Sequence, residues 1–106
     1  MSKPKKVGFF REMFPGEQKL PSMVPLLGPT PQTDEDLIIA HLRAGRCTSA
    51  SGGVMSDAFD PTKRFASPAI LTDGVWEWPS TLIYYIERYH CRLPDDFVAH
   101  VRRAPK

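Results

Sequence analysis

The stretch Ser67–His90, SPAILTDGVWEWPSTLIYYIERYH, sets what this chain can fold into, because a hairpin signal runs directly into a helix signal. Asp73-Gly74 is a dipeptide suited to the two positive-φ positions of a type I′ turn, and the runs on either side are rich in strand formers. A two-residue loop there opposes Thr72 to Val75, Leu71 to Trp76, Ile70 to Glu77 and Ala69 to Trp78. Ala69, Leu71, Trp76 and Trp78 then share one face, which must be the buried one. Ile70, Thr72, Val75 and Glu77 form a partly solvated face. A one-residue slip would expose both tryptophans, so the pattern specifies the side of the sheet strongly.

Downstream of the hairpin, Pro79 suits the first turn of a helix running to about His90, with Leu82, Ile83, Ile86 and Tyr89 as its apolar stripe and Tyr84, Tyr85 and Arg88 flanking it. Leu93-Pro94 interrupts, and Asp95-Asp96 start a last helix that turns Phe97, Val98 and Val101 inward. Upstream, Thr33 reads as the N-cap of another helix, with Asp34, Glu35 and Asp36 filling its first turn. Its stripe is Leu37, Ile38, His41 and Leu42, and Gly45 is its stop. Arg46–Ser51 reads as a short strand ended by Gly52-Gly53, Val54–Asp60 is ambiguous between a helical turn and a loop, and Asp60-Pro61-Thr62 reads as a turn.

At the N-terminus residues 1–6 read as a flexible basic tail, and VGFFREMF reads as a strand with Val7, Phe9 and Met13 on one side and Phe10 and Glu12 on the other. Residues 15–32 hold five of the 11 prolines, a spacing that no helix or central strand survives. Met23, Val24, Leu26 and Leu27 predict that this Pro-rich loop lies against the domain. The pattern is α+β: one domain over residues 1–106, with an antiparallel sheet of three or four strands covered by two or three helices. A chain of 106 residues buries about 65% of its unfolded surface, enough for one core and not for two.

Charge narrows the function classes. The formal net charge is only +2, made of +3 over residues 1–33, −3 over 34–60 and +2 over the rest. This is a mixed surface rather than a polyanion-binding one. Val7-Gly8-Phe9-Phe10 is too short for a signal-peptide core, and no run nears the roughly 20 apolar residues of a membrane span. A cytoplasmic location is expected, with Cys47 and Cys91 as reduced thiols.

Sites of chemistry are sparse. His41, His90 and His100 with the two cysteines show neither zinc-ligand spacing nor a nucleophile-base pair, so no metal, no cofactor and no catalytic residue is expected. Asp57 with Asp60, and Asp95 with Asp96, fit turn and helix-start chemistry better than an acid/base pair. Gly52-Gly53 lacks the remaining residues of a phosphate loop. Lys3, Lys5, Lys6, Arg11 and Lys19 with Phe9, Phe10 and Phe14 could instead form a surface for single-stranded nucleic acid. Tyr84, Tyr85 and Arg88 are residue types of protein-protein hot spots, and Asp34, Glu35, Asp57 and Asp60 make an acidic window suited to a basic cleft.

The run ILTDGVWEWPSTLIYYIERYHCRLPDDFVAHV, with VGFFREM near the start, resembles small bacterial immunity proteins that accompany polymorphic or contact-dependent growth inhibition toxins. The likeness covers about half of the chain and rests on the hairpin, the Trp-Pro helix start and the Leu-Pro helix start. It implies a non-enzymatic cytoplasmic protein that binds and neutralises a cognate toxin domain, and it supplies no catalytic residue. The expected partner surface comprises Asp34, Glu35, Asp57, Asp60, Tyr84, Tyr85 and Arg88. A small nucleic-acid-associated or regulatory protein using the basic N-terminal strand is the alternative, and a hydrolytic enzyme comes third. Inhibitors of basic nucleases are expected to be clearly acidic, which leaves the 34–60 window as the part that would meet such a toxin.

Overall fold

The computed structural model describes residues 4–14, 18–50, 54–66 and 68–104. In chain order the elements are β1 (Lys5–Lys6), a 3-10 turn at Val24–Leu26, α1 (Glu35–Arg43), β2 (Arg46–Ala50), β3 (Val54–Asp57), β4 (Asp60–Ala66), β5 (Ala69–Thr72), β6 (Trp76–Pro79), α2 (Leu82–Tyr89) and α3 (Asp95–Arg103). The fold is α+β, as the pattern predicts. Its main sheet, in the order β1-β6-β5-β2, is mixed rather than antiparallel, because β1 runs parallel to β6; β3 and β4 form a separate two-stranded ribbon. No helix among the described residues is long and apolar enough to cross a membrane.

The hairpin forms in a different register from the one predicted. Leu71 opposes Trp78, Thr72 opposes Glu77 and Ile70 opposes Pro79, so the loop is Gly74-Val75 instead of Asp73-Gly74. Gly74 has φ +96 and Val75 is not among the positive-φ residues, the pattern of a type II′ turn. Asp73 carboxylate Oδ1 selects this turn by accepting the Val75 and Trp76 amides at 2.9 and 2.8 Å. A shift of two residues in pairing keeps side chains on their faces, so Trp76 and Trp78 are still buried, at 6% and 0% exposure. It also places Asp73 opposite Trp76, on the tryptophan side of the sheet.

That side meets the helices. Phe97 of α3 lies edge-on to Trp76 and Trp78, with centroids 5.2 and 6.0 Å away. Ile38 and Leu42 of α1, Leu82 and Ile86 of α2, and Val101 of α3 close the same core. Gly45 ends α1 where a Cβ would fall 2.6 Å from the Trp78 ring, so this stop is also a close approach. The N-cap of α1 is Asp34, one residue past the predicted Thr33. Helix α2 starts three residues past Pro79, which closes β6 instead.

Three local predictions are corrected. Lys5–Lys6 are a strand rather than part of a loose tail, and VGFFREMF is not a strand beyond them. Gly8 turns the chain at φ +80 against Leu82, and Val7, Phe10 and Met13 become the buried set, leaving Phe9 stacked on Phe14. Val54–Asp60, read as ambiguous, and Asp60-Pro61-Thr62, read as a turn, belong to the β3–β4 ribbon, with Ala58-Phe59 as its loop and Pro61 on β4. Gly52-Gly53 lies outside the described residues.

The Pro-rich segment lies against the domain through its polar groups as well as through Met23, which is fully buried. Glu12 accepts hydrogen bonds from the Ser22 hydroxyl and the Met23 amide. The Gln32 side chain donates to the Cys91 carbonyl at 2.7 Å and accepts from the Leu93 amide at 3.4 Å. The amides of Gly28 and Arg92 complete the attachment on the Tyr89 and Leu26 carbonyls.

Candidate functional site

Helix α2 turns Tyr84, Tyr85, Arg88 and Tyr89 to one side, since Tyr84 with Arg88 and Tyr85 with Tyr89 are four apart and Tyr85 with Arg88 is three apart. The β3–β4 ribbon docks on that stripe. A bulge at Ser56/Asp57 aims the Asp57 carboxylate at the helix. Its Oδ2 accepts the Tyr84 hydroxyl at 2.8 Å and the Tyr89 hydroxyl at 2.6 Å, while Oδ1 accepts the Phe59 amide at 2.7 Å. Tyr85 Oη accepts the Ala58 amide at 3.0 Å. The Asp57 side chain is fully buried, with Arg88 Nε at 3.9 Å. Burial, followed by donation to Asp57, pushes the Tyr84 hydroxyl up to about 12, so it stays a donor at any physiological pH.

Outside this anchor, Phe59 at the ribbon's tip is 40% exposed, yet it stands edge-on to Tyr89 at 5.2 Å and to Tyr85 at 6.3 Å. Arg88 Nη2 lies 3.6 Å from Asp60, and both remain partly in solvent. The hydroxyl and amide of Thr62 hold the Asp60 carboxyl below its usual range.

Five of the seven residues predicted for a partner surface are thereby brought together: Asp57, Asp60, Tyr84, Tyr85 and Arg88. Asp57 and Tyr85 lie inside this assembly as its fasteners, and Asp60 and Arg88 lie on its rim. Asp34 and Glu35 are elsewhere. Asp34 pairs with Arg102 at 2.6 Å, and Glu35 is buried at 8% exposure against His90 Nδ1 at 3.0 Å. The acidic window therefore does not form one surface. Phe59 was missed by the sequence reading, because an isolated phenylalanine beside Asp60-Pro61 gives no strand or loop signal of its own.

A second cluster combines residues that no sequence spacing connects. His41 of α1 and His100 of α3 each bring Nε2 to 2.7 Å from Asp73 Oδ2. The three ligand-type atoms lie within 4.8 Å of one another. Partial burial pushes the Asp73 carboxyl up, but hydrogen bonds from the Trp76 amide, His41, the Val75 amide and His100 outweigh it and hold the group at about 2. The cluster opens onto a cleft of about 420 Å³ that Val75, Arg103 and Ala104 complete. The absence of ligand spacing in the sequence thus did not keep two imidazoles and a carboxylate apart. Asp73 was legible only as a turn residue, and its second role depends on the II′ register.

Cys47 and Cys91 are both free; Cys47 is exposed, and burial with the nearby Glu12 charge pushes the Cys91 thiol up to about 12. The basic N-terminal residues lie over aromatic rings of the domain itself, Lys5 over Trp76 and Lys6 over Phe9. The chain matches no protein-family model, no curated protein and no solved structure.

Proposed function

We propose that this chain is a cytoplasmic, non-enzymatic protein-binding module that neutralises a toxin domain, using the ribbon tip and the exposed edge of α2. The observation that carries the reading is Phe59, a large apolar side chain left 40% exposed but fixed by Tyr85 and Tyr89 beside the Arg88–Asp60 pair. An aromatic anchor that is already ordered loses little entropy on binding, and aromatic residues with arginine dominate interface energetics. Asp57 supports this by fastening the ribbon to α2, so the tip is presented on a rigid base. The resemblance to immunity proteins supplies the class of partner, and the paired charges supply orientation and association rate.

The test is titration of the purified chain against a toxin domain taken from a neighbouring reading frame, with growth protection on co-expression as the second readout. Nanomolar binding is expected, with Phe59→Ala weakening it by roughly 30-fold or more, as for a hot-spot residue. Asp34→Ala, at a distant ion pair, should change nothing. Absence of both binding and protection would overturn the proposal. Tight binding of single-stranded nucleic acid that collapses with added salt would replace it with the alternative reading.

A further inference from the structure

We propose that His41 Nε2, Asp73 Oδ2 and His100 Nε2 form a binding site for one divalent first-row transition ion, with its remaining coordination positions open to the adjoining cleft. The arrangement goes beyond what an ordinary hydrogen-bonded aspartate requires. Asp73 Oδ1 is already satisfied by the Val75 and Trp76 amides, and two imidazoles then converge on the single remaining oxygen. Both Nε2 atoms are thus aimed at one spot. A dication placed there is bound by both neutral imidazoles through Nε2, their protons then sitting on Nδ1, and it compensates the charge of the carboxylate.

The donors are also held as ligands need to be. A liganding carboxylate is normally fixed by hydrogen bonds on its other oxygen, which the turn amides provide. The imidazole of His41 rests against Trp78 and Phe97 at 5.8 and 6.1 Å, and that of His100 against Phe97 at 6.2 Å. The three side chains come from α1, the hairpin turn and α3, and their exposures are 16%, 14% and 23%, so the site is sheltered but reachable. Tetrahedral ligand bonds of about 2.0–2.2 Å place neighbouring donors about 3.3–3.6 Å apart. The observed 2.7 Å contacts must therefore open by about 0.6–0.9 Å, a shift that rotation of the two imidazole side chains can supply. Two imidazoles with one carboxylate favour zinc, cobalt, nickel or ferrous iron over calcium or magnesium, which seek all-oxygen shells.

The full chain is tested without a histidine tag, in a Cys47→Ser background that removes the exposed thiol as a competing ligand, after chelation and removal of the chelator. Co²⁺ titration should give visible d–d absorption that saturates at one equivalent. Zn²⁺ at about 100 times its Kd should raise the folded-to-unfolded ratio about 100-fold, read as an increase in Tm. His41→Gln and His100→Gln should each weaken Co²⁺ binding at least tenfold, as loss of one of three protein ligands requires, whereas His90→Gln, at the separate Glu35 pair, should leave it unchanged. No saturable Co²⁺ band and no Zn²⁺-dependent Tm shift up to millimolar metal would overturn the site. Full retention of binding in both glutamine variants would do the same. The Phe59-dependent titration with the toxin domain uses none of these side chains, so either proposal can fail alone.

Discussion

Tyr89 of α2 donates its hydroxyl to Asp57 of β3 across 2.6 Å, and through that contact a ribbon with its own separate sheet is fastened to the main domain. Asp57→Ala removes the acceptor for two hydroxyls and one amide at a fully buried position. Hydrogen bonds to a charged group are worth about 1.5–3 kcal/mol each, and partners left unsatisfied add to the loss. We expect a destabilisation of at least about 3 kcal/mol, measured by urea unfolding, with Asp57→Lys no better tolerated. Asp60→Lys, on the rim, should leave the midpoint close to wild type. Equal midpoints for the Asp57 and Asp60 variants would show that the ribbon does not depend on this contact.

Trp78 is completely buried and faces both Phe97 and His41. Trp78→Ala should cost about 3–5 kcal/mol, a large part of the stability of a domain this size. Loss of cooperative melting, or a Tm far below wild type, is the expected calorimetric result.

Two glycines separate steric crowding from backbone strain. A Cβ on Gly74, at φ +96, would meet nothing within 4 Å, so Gly74→Ala should cost only the roughly 1–3 kcal/mol of backbone strain at this glycine-favoured turn position. At Gly8, φ +80, the same atom would fall 2.4 Å from Leu82 Cδ2, adding about 1–3 kcal/mol of overpacking to the strain. Gly8→Ala should therefore have the lower urea midpoint of the two.

Alkaline pH should weaken the fold. Burial holds the Cys91 thiol and the Tyr84 hydroxyl protonated to about 12, whereas an unfolded chain loses these protons near 8.5 and 10. Above those unfolded values the folded state carries more protons than the unfolded state, so stability falls with rising pH and is lost progressively up to about 12. The urea midpoint should drop between pH 9 and 11, and Tyr84→Phe should make that decline shallower.

The helices were legible because their apolar residues repeat at helical spacing: Leu82 with Ile86, and Phe97 with Val101, are buried as the stripe requires. The hairpin was legible as an element but not in register, since Asp-Gly and Gly-Val loops differ only by which residue the Asp73 carboxylate caps. Val7, Phe10 and Met13 are three residues apart and buried together, whereas strand alternation put Phe10 on the side opposite Val7 and Met13, because Gly8 gave no sign that it would turn the chain. The His41–Asp73–His100 cluster was invisible for a different reason. Its members are 32 and 27 residues apart, and only the docking of α1 and α3 on the hairpin brings them together.

The parallel pairing of Lys5 with Trp76 also orders events in time. During synthesis at about 5–20 residues per second, β1 emerges roughly 4–14 s before the strand it must join. Val7, Phe10 and Met13 wait with it, apolar and without their core, until Leu82 and its helix leave the ribosome. The nascent chain thus carries an unpartnered apolar stretch for as long as the residues between Met13 and Leu82 are being made, and that stretch stays open to chaperones throughout.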